Sequence, residues 1–219
     1  MSRERDRPRI VVATRSPHKL AELHELLHPA RAELISLDEA GVPAEASPIE
    51  DRATFEANAR LKARFYARLT GLPTLADDSG IEVEALGGAP GVRTRRYAGP
   101  DASDVDNNTK LLAALDGLPP DRRGACYVCV LVLADGQPEA RGRLGGVPIL
   151  GEARGTLRGR IATQARGGGG FGYDPIFEPV GEPPGGRTLG LWSAAAKNRV
   201  SHRARAARRM ARRLADLGF

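Results

Sequence analysis

Arg9-Ile10-Val11-Val12-Ala13-Thr14-Arg15-Ser16-Pro17-His18-Lys19 is the stretch on which the fold turns. Its first half is a short β-branched run, which predicts a strand. Ser16 followed by Pro17 then marks a helix start, because a serine hydroxyl caps free N–H groups and proline's fixed φ and missing N–H suit the first helical position. Leu20, Leu23 and Leu27 recur on one face of that helix. A strand feeding a helix through a short turn is the building unit of an α/β protein. The turn also leaves helix N–H groups free beyond the strand, with Lys19 in the first turn, which is a geometry that holds phosphate. The same turn occurs in α/β proteins that bind nothing there, so these residues alone leave both readings open.

Further along, Glu33-Leu34-Ile35-Ser36-Leu37 predicts a second strand and residues 41–48 a loop. Phe55, Ala59, Lys62, Tyr66 and Leu69 then stand at helical spacing, in a helix starting near Asp51 or Thr54. Glu50 falls just outside its N-terminus, and Glu56 and Asn58 fall in its first turns. Such carboxylates ordinarily complement the helix dipole. Glu50 gains another meaning only if the loop carries it to the next group of acids.

That group lies in Thr74-Leu75-Ala76-Asp77-Asp78-Ser79-Gly80. Burying two adjacent aspartates is expensive unless cations or hydrogen-bond donors meet them, and a divalent cation is the obvious candidate. Strand alternation puts Asp77, Ser79, Ile81, Val83 and Ala85 on one face and Asp78, Gly80, Glu82 and Glu84 on the other. Asp77 therefore shares the core face, in a supporting role, and Asp78 is the better candidate for chemistry.

A glycine-rich turn through Gly91 leads to Arg93-Thr94-Arg95-Arg96-Tyr97. A helix over 103–115 follows, with Val105, Leu111, Leu112 and Leu115 expected to face inward. Cys126 and Cys129 sit in an apolar strand; C-x-x-C can mean a redox or zinc site, but positions three apart in a strand face opposite ways, which favours inert core cysteines. Ala134-Asp135-Gly136-Gln137 reads as a hairpin turn into a polar strand over 139–147, so the sheet is mixed. Residues 155–166 are basic and read as a strand with an open face.

Gly167-Gly168-Gly169-Gly170-Phe171-Gly172-Tyr173-Asp174 combines costly glycines with aromatic rings. Either the backbone there approaches something closely and the rings stack on a planar base, or a surface loop leads into an aromatic core strand. In the last helix Val200, Ala204, Ala207, Met210, Ala211, Leu214 and Leu217 make one apolar arc. Arg203 lies inside that arc, where it needs a ligand's oxygens or an internal acid.

The chain of 219 residues carries 41% hydrophobic and 27% charged residues and has no apolar run of membrane-spanning length. Residues 1–8 read as a flexible tail without a secretory signal, and residues 9–219 as one domain, with the cytoplasm as the expected location. The net charge of +6 suits nucleic acid or small polyanions. With 5% aromatic residues and arginines spread over the solvent side of the last helix, a solvated face is favoured over nucleic-acid binding.

An anion-binding turn, a carboxylate cluster, a glycine–aromatic segment and a Lys197–His202–Arg203 group together describe a site for a metal-bound phosphate compound carrying a ring. The chain resembles the inosine triphosphatase-like, non-canonical purine nucleoside triphosphate pyrophosphatases. The resemblance rests on Thr14 and Lys19, Thr54-Phe55-Glu56-Ala57-Asn58-Ala59, Ala76-Asp77-Asp78-Ser79-Gly80, Gly88-Ala89-Pro90-Gly91-Val92, Arg96-Tyr97-Ala98-Gly99, Gly170 to Phe177 and Ser201-His202-Arg203, all in family order.

The resemblance implies a long twisted mixed sheet flanked by helices, two lobes around a central cleft, and a Mg²⁺-dependent homodimer that converts ITP, dITP and XTP to monophosphate and pyrophosphate. It gives Asp78 the roles of general base and metal ligand and makes Glu50 a second metal ligand. Thr14, Arg15, Ser16, Pro17, His18 and Lys19 would bind the triphosphate, while Ser79, Phe171, Gly172, Tyr173, Asp174, Lys197, His202 and Arg203 would contact substrate. Arg203 donors suit a 6-oxo group and oppose a 6-amino group. Three departures stand out. Ser16 replaces an asparagine, Ala194-Ala195-Ala196 stand where glutamate is usual, and Thr94-Arg95 replace Ser-Ala.

Overall fold

The computed structural model describes residues 7–28, 31–136 and 146–219. Most of the expected tail and residues 139–145 of the expected polar strand lie outside them. The elements in chain order are β1 (Arg9–Ala13), α1 (Pro17–Leu27), β2 (Glu33–Ile35), α2 (Phe55–Thr70), β3 (Thr74–Val83), α3 (Asp104–Ala114), β4 (Gly124–Ala134), β5 (Ile149–Ile161), β6 (Phe177–Pro179), α4 (Ala194–Val200) and α5 (His202–Asp216). One six-stranded sheet runs in the order β2-β1-β3-β4-β5-β6. β1 is parallel to both β2 and β3, whereas β5 and β6 are antiparallel, so the sheet is mixed. Among the described residues no helix is long and apolar enough to cross a membrane.

Two compact units divide the chain, with the boundary inside β3 between Asp78 and Ser79. The first takes the described residues of Met1–Asp78, Val130–Arg154 and Arg205–Phe219. Its starting turn is built as the sequence dictates: Ser16 is extended, its hydroxyl accepts from the Lys19 N–H, and Pro17 opens α1. Thr54 caps α2 in the same way, and Gly71 closes it in the left-handed conformation at φ 69°. Phe55, Ala59, Ala63, Tyr66 and Ala67 are the apolar residues α2 buries, together with the amide of Asn58. Leu69 is instead 50% exposed, at the flank of that stripe and one residue from the end of the helix at Thr70.

The second unit takes Ser79–Cys129 and Gly155–Ala204. Its core gathers Ile81, Val83, Leu111, Leu115, Tyr127, Leu157, Tyr173 and Phe177. α3 starts at a full capping box between Ser103 and Asp106. Val105, expected to face inward, is 71% exposed, since six residues of helix turn it well away from Leu111. Cys126 and Cys129 form no disulfide; Cys129 is buried as expected, Cys126 is partly exposed, and β4 is almost wholly buried. The basic stretch expected as an open-faced strand belongs to the 13-residue β5, with Arg154 and Arg158 exposed. The C-terminal helix is divided: Ser201 ends α4 in an extended conformation and α5 begins at His202, so Val200 lies outside the α5 arc. Leu217, at the end of that arc, is 41% exposed because α5 stops at Asp216.

Candidate active site

In the first unit, Lys19 reaches from the first turn of α1 to Asp77, Nζ to Oδ1 2.5 Å. Asp77 lies fully inside, and its main-chain carbonyl accepts from Lys62 Nζ at 2.9 Å. That same ammonium stands 2.9 Å from Glu50 and 3.7 Å from Asp78. The loop before α2 therefore does bring Glu50 to the acids of β3, through a lysine on the flank of the α2 stripe. Lys62 is the residue that periodicity misread. It occupied a place in an apolar pattern, and a lysine in such a place is itself a signal that a buried acid awaits it.

Three carboxylates thus meet two ammonium groups. Burial raises the Asp78 pKa to about 6, against the opposing pull of Lys62 and Lys19 and with the help of Glu50 and Asp77. For Lys62 burial disfavours the charge, but Glu50 and Asp78 outweigh it and its pKa rises. Asp78 Oδ2 is buried and has no hydrogen-bond partner. A carboxyl of this kind can take a proton near neutral pH or meet a cation.

The rest of the turn is less uniform. The Thr14 hydroxyl accepts from the Ser16 N–H, and Pro17 and His18 are exposed. Arg15 is drawn to Asp38 at 3.1 Å and to the Pro43 carbonyl.

In the second unit Asp174 is the hub, almost fully buried. Its Oδ2 accepts from Lys197 Nζ at 2.7 Å and from the Phe171 N–H at 3.0 Å, and its Oδ1 accepts from the Tyr127 hydroxyl at 3.4 Å. Gly170, at φ 75°, lies where any Cβ would collide with that carboxylate. Gly167 likewise touches the backbone of Gly190, so glycines in this stretch serve close approach. The Phe171 ring has Lys197 Nζ 4.2 Å from its centre and the Arg203 guanidinium at 5.7 Å. His202 stacks on Tyr127, with centroids 4.6 Å apart and planes within 4°. Arg203, 1% exposed, donates to the Ser79 hydroxyl at 3.0 Å. Tyr173 is buried, and its hydroxyl donates to the Thr94 carbonyl.

Thr94 keeps the hydroxyl of the serine it replaces: Oγ1 accepts from the Ile81 N–H and donates to the Gly91 carbonyl. Ala194 and Ala195 lie exposed in the first turn of α4. Tyr127 and the α3 asparagines escaped the sequence reading, because a strand aromatic and two helical amides carry no motif of their own.

A mixed-sheet α/β protein that carries a lysine–carboxylate cluster in its first unit and, in its second, an aromatic ring with a lysine and an arginine over it has the equipment of a phosphate- and ring-binding protein. The chain belongs to the Ham1 family, whose profile matches residues 10–213. It is 47% identical over 197 residues to a dITP/XTP pyrophosphatase of Syntrophobacter fumaroxidans, covering 90% of this chain and 78% of that protein. A dITP/XTP pyrophosphatase of Methylococcus capsulatus is 43% identical, with 96% and 98% covered. The solved HAM1 protein from Coxiella burnetii superposes with a TM-score of 0.80 at 37% identity, over 95% of this chain and 99% of that one.

Proposed function

We propose that this chain hydrolyses ITP, dITP and XTP to the nucleoside monophosphate and pyrophosphate, removing deaminated purines from the nucleotide pool. The names of its relatives support the reaction class. The observation that carries the residue assignment is Asp78: a buried carboxyl near pKa 6 beside two lysines, with one oxygen uncommitted. In this reading Lys19, Lys62 and the α1 N-terminus hold phosphate oxygens. Water attacks the α-phosphorus, its proton goes to Asp78, and the bond to the bridging oxygen breaks to release pyrophosphate. Phe171 stacks on the purine, and Arg203 donates to its 6-oxo group.

The donor set fits Mg²⁺. Glu50 and Asp78 flank one ammonium, the buried Asp78 oxygen lacks a partner, and Mg²⁺ in phosphate sites takes one or two carboxylates with the rest from phosphate and water. When bound it would neutralise phosphate charge. The same reading makes the protein a cytoplasmic homodimer whose exposed α5 arginines are a solvated face with no nucleic-acid role.

Incubation with ITP, dITP, XTP and the four common nucleoside triphosphates in Mg²⁺ tests the proposal. Pyrophosphate release with preference for ITP, dITP and XTP is expected. Orthophosphate release, or equal rates on all substrates, overturns it.

A further inference from the structure

Phe171 owes its position to hydrogen bonds that neither a strand nor a helix supplies. Its own N–H is held by Asp174 Oδ2 at 3.0 Å. The next N–H, of Gly172, is held by Asp104 Oδ2 at 2.6 Å, and the Gly172 carbonyl accepts from Asn108 Nδ2 at 3.1 Å. The φ and ψ of Phe171 are the two rotations between the peptide planes that carry the first two of these N–H groups. Fixing both planes fixes the Cα–Cβ direction, and the Lys197 and Arg203 cations over the ring restrain its remaining rotations. Asn108 holds the plane after that, at a glycine with φ 61°.

Asp104 and Asn108 are four residues apart and so share one face of α3. The helix is itself anchored. Its neighbouring Asn107 accepts from the Ala98 N–H at 2.8 Å and donates to the Arg95 carbonyl at 3.0 Å. Tyr173, directly after Gly172, donates to the Thr94 carbonyl in the same arginine-rich turn at 2.8 Å. Helix, turn and aromatic segment therefore form a closed ring of contacts, and none can shift without breaking bonds to both others.

We propose that α3 is a positioning element for purine recognition, with Asp104 and Asn108 as positioning residues that hold Gly172 by its N–H and C=O and so set the plane of Phe171. This rests on the purine triphosphate reading above. Asp104 is exposed and in the first helical turn, so the competing explanation is a carboxylate that only complements the helix dipole. Asparagine at 104 separates the two, since it keeps an acceptor for the Gly172 N–H and loses the charge.

The test compares the full chain with Asp104→Ala, Asp104→Asn and Asn108→Ala, measuring ITP turnover and competitive inhibition by inosine monophosphate and by inorganic triphosphate. Loss of one positioning hydrogen bond is expected to raise KM for ITP and the inosine monophosphate inhibition constant about fivefold to tenfold in Asp104→Ala and Asn108→Ala. In both, kcat is expected to stay within about twofold and inhibition by inorganic triphosphate to be unchanged. Asp104→Asn should behave like the parent. Equal behaviour of Asp104→Ala and Asp104→Asn, or parallel weakening of both inhibitors, overturns the proposal. If Asn108→Ala fails to fold, the exposed Asp104 pair decides alone. A parent chain that does not turn over ITP sinks the underlying reading and this proposal with it, whereas an active parent with an unaltered Asp104→Ala sinks only the latter.

Discussion

Asp78 must be acidic enough to ionise for catalysis and is buried deeply enough to resist it. Its pKa moves from an ordinary 3.8 to about 6, chiefly through burial. Between those values the folded chain binds the proton that the unfolded chain has released, so folding is favoured as pH falls. The stabilisation is complete below the unfolded value and is lost as pH rises through about 6. At pH 8 the ionised form therefore costs folding on the order of 3 kcal/mol. Without added divalent cation, Asp78→Asn should melt above the parent at pH 8 and level with it at pH 4. Its turnover of ITP should fall about 10²- to 10⁴-fold, the usual worth of a general base. A melting point unchanged at pH 8 would contradict the burial argument, and near-parental kcat would remove Asp78 from the chemistry.

Lys62 is the counterweight. Replaced by methionine, it leaves Glu50 and Asp78 without their shared cation, at a cost of about 3 kcal/mol or more at pH 8. The cost should shrink at pH 5, where Asp78 takes up a proton. Denaturant titrations at the two pH values check this; an equal loss at both would mean that Lys62 stabilises by packing alone.

At the level of elements, the sequence announces itself wherever a local rule is strong. Ser16-Pro17, Thr54 and Ser103 each mark a helix start at the residue where the helix begins. The glycine–aromatic segment allowed two readings, and each holds in part: Gly167 and Gly170 serve close approach, while Tyr173 and Phe177 enter the core and Phe177 opens β6. What stayed hidden depends on long-range pairing. The open face of β5 masks its strand period with arginines, and Lys62, Tyr127, Asp104 and Asn108 acquire meaning only from residues far away in sequence. Among glycines, Gly170 gives the clearest test. Gly170→Ala would force a Cβ into the Asp174 carboxylate at a left-handed φ, so Asp174 must release Phe171 or Lys197. We expect a loss of about 1–3 kcal/mol in stability. Weakened inosine monophosphate binding with unchanged inhibition by inorganic triphosphate should accompany it. Calorimetry and inhibition measurements check the two parts, and unimpaired binding would show that Asp174 does not position the ring.

For the molecule as a whole, the expectation still to be met is the homodimer, and α2 offers a face for it. Leu61, Phe65 and Leu69 form a ridge at four-residue spacing, half-buried in the first two cases and half-exposed in the third. They line an open groove of about 700 Å³ with Arg52, Arg60, Arg64 and Arg68. Of the acids at the N-terminal end, Asp51 is paired with Arg52 and Glu56 with Arg154, while Arg64 and Arg68 stand near the C-terminus. Two copies packed antiparallel would bury the apolar ridges against each other and keep the two Arg64 and Arg68 ends apart, whereas a parallel pair would bring them together. Phe65→Glu adds a charge at the centre of the ridge. It should turn a dimer into a monomer in sedimentation equilibrium at micromolar concentration, with little change in the far-ultraviolet circular dichroism. Raising salt should weaken the parent dimer only modestly, because the ridge is apolar and only its ends are charged. A dimer that survives Phe65→Glu uses another face, and a parent chain that sediments as a monomer has no need of one.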